Sequence, residues 1–234
     1  DDMRKLLLGE SSDELKRKTG LMTRLATKVG AATGITANLD FVRSASKKWM
    51  PLGQDIVIVG GAVTGSSAAY HLASNPDFSG KVLVLEKDPS YRKCASALSA
   101  ASIRQQFSTA VNIKISLYGI EFIRNIGGLL EVDGDRPDIG FHEDGYLFLA
   151  TDAGRDTLAE NHRLQVELGA DIAFLEPNGL AATFPWLSVD DLSAGCYGRS
   201  GEGWFDGYGM MQAFRRKARS LGVDYRPARA AAIE

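Results

Sequence analysis

Hydrophobic positions along this chain fall into short buried runs and helical stripes separated by glycine-rich turns. The first convincing run, Asp55-Ile56-Val57-Ile58-Val59, is β-branched and of the kind buried in a parallel sheet. Gly60 to Gly65 reads as a turn and Ser66 to Ala73 as a helix that ends near Asn75-Pro76. Lys81-Val82-Leu83-Val84-Leu85-Glu86 is a second buried strand, so strand, turn, helix and strand make one βαβ unit. Val111, Ile115, Tyr118, Phe122 and Ile126 recur at helical spacing. A strand is predicted around Gly145-Tyr146-Leu147-Phe148-Leu149, and helices over 155–168 and 178–183. Gly207 to Leu221 is predicted helical, with Tyr208, Met211, Phe214, Ala218 and Leu221 inward. A last strand begins at Val223-Asp224-Tyr225. Trp49-Met50-Pro51-Leu52-Gly53 marks a boundary before all of this.

Composition changes the picture little for residues after that boundary and more for those before it. Apolar residues are 44% and charged residues 24% of the 234, the balance of an ordinary globular protein, and the net charge of −2 gives no pull toward nucleic acid. The longest apolar runs fall far short of the roughly 20 residues of a membrane span. Two cysteines, Cys94 and Cys196, form neither a disulfide framework nor a CxxC pair. Between Leu15 and Lys48, however, eight Lys or Arg face the single acid Asp40. That stretch is rich in Ala, Ser and Thr, like an organellar transit peptide, although the chain begins Asp1-Asp2. It reads either as a solvated basic leader or as an arm that docks on a partner.

The chemistry sits first in Val59-Gly60-Gly61-Ala62-Val63-Thr64-Gly65. An ideal dinucleotide fingerprint has glycine at 60, 62 and 65. Gly60 supplies the tight turn and Gly65 the close helix–strand packing, while Ala62 puts a methyl group at the pyrophosphate position. Backbone N–H groups of Gly61, Ala62 and Val63 would face the phosphates at a helix N-terminus. Glu86 lies 21 residues after Gly65, near the spacing of an acid that binds the adenosine ribose, and Lys87 follows it. These residues do not decide between FAD and NAD. The competing reading is a turn cluster of glycines with a surface acid.

Five segments then carry a resemblance: DIVIVGGAVTGSSAAYHLA, VLVLEKDPSY, SALSAASIRQQFS, GYLFLATDAG and GEGWFDGYGMMQAFRRKAR. Over residues 54–234 the chain resembles the D-amino-acid oxidase-like superfamily of FAD-dependent oxidoreductases. That superfamily includes sarcosine and dimethylglycine dehydrogenases, glycine oxidase and a mitochondrial branch linked to complex I assembly. The resemblance implies an α/β fold: a Rossmann-like FAD-binding βαβ domain with an inserted antiparallel-sheet substrate domain, truncated. The implied organisation is a basic leader (1–53), a first part of the FAD domain (54–128), substrate-domain sheet and helices (129–206), and an incomplete return to the FAD domain (207–234).

The resemblance also implies the cofactor FAD. Gly60, Gly61, Ala62, Val63 and Gly65 would hold the pyrophosphate, and Glu86 the ribose, with Lys87 within reach of the adenosine. Ser99, Ala100, Ala101 and Ser102 match the loop that passes close to the flavin ring, and Ala101-Ser102 stands where many relatives have Gly-Gly. Arg104 is the candidate catalytic cation beside the flavin, against the plainer reading of a surface or ion-paired arginine. Tyr146 and Trp204 are candidates for a substrate face or for core. His71, His142 and His162 have no partner at metal or triad spacing, and Cys94 is expected to be a small interior residue. Arg215, Arg216, Lys217 and Arg219 are expected on the wet face of their helix.

Family members carry a second stretch of FAD-domain sequence after the substrate domain, and this chain ends at Ile233-Glu234. Two expectations follow. In one, an amine or amino acid is oxidised by hydride transfer to flavin N5, with the remaining strands supplied from elsewhere. In the other, the chain is an inactive accessory subunit of a mitochondrial or other organellar complex, bound to further protein chains. Neither involves a metal, nucleic acid or a transmembrane segment.

Overall fold

The computed structural model describes residues 54–231, so the basic leader and its two readings lie outside the described residues. In chain order the elements are β1 (Ile56–Val59), α1 (Val63–Ala73), β2 (Val82–Glu86), α2 (Ala95–Leu98) and β3 (Ser102–Ile103). Next come α3 (Ala110–Arg124), α4 (Ile126–Leu129), β4 (Leu147–Ala150), α5 (Asp152–Glu167) and β5 (Ile172–Leu175). Last are α6 (Pro177–Thr183), β6 (Ala194–Gly198), β7 (Gly203–Trp204), α7 (Gly207–Ser220) and β8 (Asp224–Pro227). They form two compact units, residues 54–92 with 218–231 and residues 93–217. α3 packs into the second unit through Ile113.

The first unit is built on a parallel three-stranded sheet ordered β1-β2-β8. Pairs run Ile56↔Val82 to Val59↔Leu85 on one side of β2 and Leu83↔Asp224 to Glu86↔Pro227 on the other. Val82, Leu83 and Val84 of this middle strand are buried, each contributing about 1.5–3 kcal/mol of hydrophobic stabilisation. α1 buries Gly65, Ser66, Ala69 and Tyr70, the one-turn spacing of a helix face laid on a sheet. Its first residue is Val63 rather than the expected Ser66. Gly60, at φ +99°, makes the reversal alone, so the helix can begin three residues earlier.

The second unit centres on an antiparallel sheet ordered β4-β6-β5, with Phe148 and Phe174 both opposite Cys196. Its core gathers Ile113, Ala170, Ile172 and Cys196, with Phe107 and Phe148 packed against them. The middle strand, Ala-Gly-Cys-Tyr-Gly, carries no β-branched residue. Its glycines answer crowding: a Cβ on Gly195 would sit 2.7 Å from Leu180 Cδ2, and one on Gly198 would sit 1.9 Å from Glu202 Oε2. A smaller pair, β3 with β7, joins Ser102 to Trp204 and Ile103 to Gly203.

Two expected faces are corrected. α3 turns Ile113, Ser116, Ile120, Phe122 and Ile123 inward; of the stripe read from the sequence Phe122 and Ile126 are buried, while Val111, Ile115 and Tyr118 are 60%, 46% and 37% exposed. The helix carries two apolar stripes, and the one that reaches the sheet core through Ile113 is the one buried. On α7, Met211, Phe214 and Ala218 are buried as expected, whereas Tyr208, and Leu221 just past the helix end, are exposed. Nor is its basic run simply solvated. Arg216 pairs with Asp135, and Lys217 Nζ donates to the Glu131 carbonyl at 2.7 Å. Among the described residues no helix is long and apolar enough to cross a membrane.

Candidate functional site

In the first unit, the peptide group of Gly61 is held on both sides. Its N–H, expected to face a phosphate, donates instead to Glu86 Oε2 at 2.8 Å. Its carbonyl accepts the buried Ser66 hydroxyl at 2.6 Å, and Ser66 Oγ accepts the Tyr225 hydroxyl at 3.0 Å. Turn, helix, β2 end and β8 are thereby tied together. Glu86 Oε1 accepts the Asp88 N–H at 2.8 Å, which leaves each carboxylate oxygen a further lone pair for a hydroxyl donor. Lys87 is exposed beside it.

The glycines of this turn are sterically required. A Cβ on Gly61 would meet the Tyr91 hydroxyl at 2.8 Å and Val84 Cγ1 at 3.2 Å. One on Gly65 would lie 1.8 Å from the Gly60 carbonyl oxygen. Tyr91 is itself buried in the left-handed region at φ +55°, its N–H donating to Asp88 O at 3.0 Å. Ala62 is the N-cap of α1 and offers no side-chain acceptor, and no acid stands in the first turn. An uncapped helix start beside a glycine turn suits an anion such as a diphosphate, and Glu86 suits a ribose diol. These residues therefore fit the ADP part of a dinucleotide.

The other expected site residues belong to the second unit. Ser99 and Ala100 are exposed after the short α2. Ser99 Oγ accepts the Ala101 N–H at 3.0 Å, and the Ala101 carbonyl accepts the Phe205 N–H at 2.9 Å. Ala101 has φ +47°, the region that glycine occupies without steric cost. Its methyl lies 2.7 Å from where a Cβ on Gly207 would sit. Ser102 is exposed and paired with Trp204.

Arg104 is half-buried, its guanidinium 4.8 Å from the Phe107 ring centroid and 5.4 Å from that of Phe148. Among the described residues it has no carboxylate partner, so the ion-paired alternative is not what these residues form. A guanidinium resting on two rings keeps its N–H donors available for an anion.

Trp204 is neither core nor free. It is 49% exposed, stacks on His142 at 4.2 Å and donates its indole N–H to Asp144 Oδ2 at 2.9 Å. Tyr146 is half-buried in the residues leading into β4. His162 Nε2 contacts the Ile172 carbonyl at 3.0 Å, and the described residues contain no cluster able to hold a metal. Cys94 is part-exposed at the start of α2; Cys196 is buried, its thiol pushed up to about 12 by burial and then by the negative charge of Glu202. Glu143 is held below the ordinary carboxyl value by its hydrogen bonds from Arg124, helped by the Gly201 N–H.

One residue that the sequence did not single out is Glu202, fully buried under the Arg104 segment. The only signal available was its setting, an acid between two glycines in GEGWF.

A family profile described as DAO, FAD dependent oxidoreductase, matches residues 55–234. A Xenopus laevis protein named FAD-dependent oxidoreductase domain-containing protein 1 is 45% identical over 176 residues, covering 74% of this chain and 35% of that protein. Mitochondrial dimethylglycine dehydrogenase of Rattus norvegicus is 32% identical over 170 residues, 72% of this chain and 19% of that protein. Glycine oxidase from Bacillus cereus superposes with a TM-score of 0.56 at 25% identity, covering 74% of this chain and 45% of that one. The chain spans about a third of the length of two of the curated relatives it matches, 35% and 36%.

Proposed function

The chain belongs to the DAO family of FAD-dependent oxidoreductases, and on that premise we propose that it carries the ADP-binding turn and flavin-side loop of an enzyme that oxidises a small amine or amino acid. FAD is the cofactor of this family. The observation that carries the proposal is the Gly61 peptide, clamped by Glu86 and Ser66 at a turn where Gly61 and Gly65 admit no Cβ. In this reading the unit around it is a Rossmann-like βαβ domain, and the antiparallel β4-β6-β5 sheet is part of an inserted substrate domain. Gly60, Ala62, Val63 and Gly65 would cradle the pyrophosphate, Gly61 would shape the turn through its bond to Glu86, and Glu86 would bind the ribose hydroxyls, with Lys87 near the adenosine. Ser99 to Ser102 would pass beside the ring.

The chemistry FAD supplies when bound is acceptance, at N5, of a hydride from the carbon next to the amine nitrogen. The part of this chain is to bind, orient and hold charge. Arg104, resting on Phe107 and Phe148, is the cation proposed to stabilise negative charge on the reduced ring. Substrate class rests on a named relative and a named neighbour, dimethylglycine dehydrogenase and glycine oxidase, whose named substrates both combine an amine with a carboxylate. A mitochondrial location is proposed from the name of the first of these and from the basic, acid-poor composition of residues 15–48.

A second reading, an inactive accessory subunit held by other chains, is favoured by the exposed stripe Val111, Ile115 and Tyr118, a surface suited to protein contact. An absorbance spectrum of the full-length protein separates the two. Flavin bands near roughly 375 and 450 nm that leave with FAD on denaturation are expected. A colourless protein with intact fold overturns the enzyme reading in favour of the accessory one.

A further inference from the structure

Glu202 is the one charged side chain fully buried among the described residues, and no Lys, Arg or His of those residues pairs with it. Every bond to its carboxylate comes from N–H. Oε1 accepts the Gln105 N–H at 2.6 Å and the Gln106 N–H at 3.1 Å. Oε2 accepts Gln106 Nε2 at 2.9 Å and the Tyr146 N–H at 3.1 Å. Two glycines make the space: a Cβ on Gly198 would strike Oε2, and one on Gly201 would lie 2.3 Å from Gln105 Nε2. Desolvating a carboxylate without a counter-cation is costly, and a well-packed apolar side chain would fill such a place more stably. Simple stability is a poor account of an acid here.

What the carboxylate grips is informative. Gln105 and Gln106 directly follow Arg104, and Phe107, one ring of the Arg104 platform, directly follows them. Tyr146 precedes by two residues Phe148, the other ring. Two segments that are distant in sequence, each bearing part of the arginine and its platform, are joined through this pair of oxygens and by one direct bond, from Gln106 Nε2 to the Tyr146 carbonyl at 3.0 Å. Four N–H bonds to a charged acceptor hold backbone far more firmly than the same number of neutral contacts.

We propose that Glu202 is a positioning residue: it fixes the Arg104 segment and the Phe148 strand against each other and so sets where the Arg104 charge stands relative to the flavin ring. The inference rests on the FAD reading above and extends it to a residue that touches neither cofactor nor substrate.

The test is the midpoint potential of FAD bound to the full-length protein, in wild type, Arg104→Met, Glu202→Gln and the double variant. In Glu202→Gln the new amide nitrogen faces Gln106 Nε2 and the Tyr146 N–H, donor against donor, so the grip on the strand side is lost while side-chain volume is kept. Removing Arg104 is expected to make the potential more negative, because the anionic reduced ring loses a cation. Glu202→Gln is expected to shift it the same way by a smaller amount, and to add nothing when Arg104 is already absent.

The sign discriminates. If Glu202 acted only through its own negative charge, neutralising it would make the potential more positive. A more positive potential overturns the proposal. So does an unchanged potential with a lowered melting temperature, or a shift of equal size with and without Arg104. Should Glu202→Gln not fold, Gln106→Met removes the side-chain bond to Oε2 together with the one to the Tyr146 carbonyl, and is expected to give a smaller negative shift that also vanishes without Arg104. A shift that persists there overturns the proposal equally. A wild-type protein that carries no flavin defeats the FAD reading and this inference together, whereas a flavin-bearing wild type with an uncoupled Glu202→Gln defeats this inference alone.

Discussion

The two units hold their loops by different means. Around Gly61 the partners are near in sequence: Ser66 is five residues on and Glu86 twenty-five. Around Arg104 the holding acid is Glu202, which reaches Gln105 across 97 residues and Gln106 across 96. The first loop is therefore specified within a single supersecondary motif, whereas the second exists only once distant segments have met. A local clamp can be read from spacing and can form early. A non-local clamp bears its loop-closure entropy in full before any bond rewards it.

The contrast can be broken most severely at its local end. Gly65→Ala places a methyl 1.8 Å from the Gly60 carbonyl oxygen, with only backbone to give way. A loss of about 3 kcal/mol or more is expected, with FAD content falling in parallel; thermal unfolding and the flavin-to-protein absorbance ratio check it. Glu202→Gln comes next. Turning acceptors into donors against buried N–H groups should cost about 2 kcal/mol in denaturant unfolding without emptying the nucleotide turn. If FAD content falls as steeply as in Gly65→Ala, the two clamps are not independent.

Ser66→Ala tests the local clamp more gently. It removes the donor to Gly61 O and the acceptor of the Tyr225 hydroxyl, for about 1–2 kcal/mol and a measurable rise in the FAD dissociation constant. Ala101→Gly should run the other way. Relief of a positive φ is expected to raise stability by about 0.5–1 kcal/mol, visible as a higher denaturant midpoint.

The smallest effect concerns pH. The Cys196 thiol is raised to about 12 from an ordinary 9, so between those values the unfolded chain releases a proton that the folded chain keeps. Stability from this group is present below pH 9 and declines as pH rises through that window. Urea unfolding of wild type and Cys196→Ala at pH 8 and pH 10 should show the steeper alkaline loss in wild type.

Legibility in the sequence divides along the same line. The β-branched run of β1, the glycine turn and the Glu86 spacing announce the first unit, because each is a local pattern with one good structural solution. Gly61 was the exception, its N–H turned to Glu86 rather than left for a phosphate, a detail that spacing does not encode. In the second unit β6 gave no signal, since Gly195 and Gly198 answer side chains that come from elsewhere in the chain. α3 misled because it has two apolar stripes and periodicity alone does not say which meets the core. Arg216 and Lys217 looked solvated for want of any sign that the 131–135 turn would reach them. Glu202 was invisible for the same reason.

The crowding of Ala101 against Gly207 makes these two positions a couplet with room for a single methyl group between them. Substitution at one is then conditional on the other: Gly207→Ala alone should be rejected, yet it should be accepted once Ala101 has become glycine, with the nearest remaining atom being the Ser96 carbonyl oxygen at 3.3 Å. Among related sequences the pair is expected to covary, small residue for small residue, and a history of exchange between these sites would run through the double-glycine intermediate.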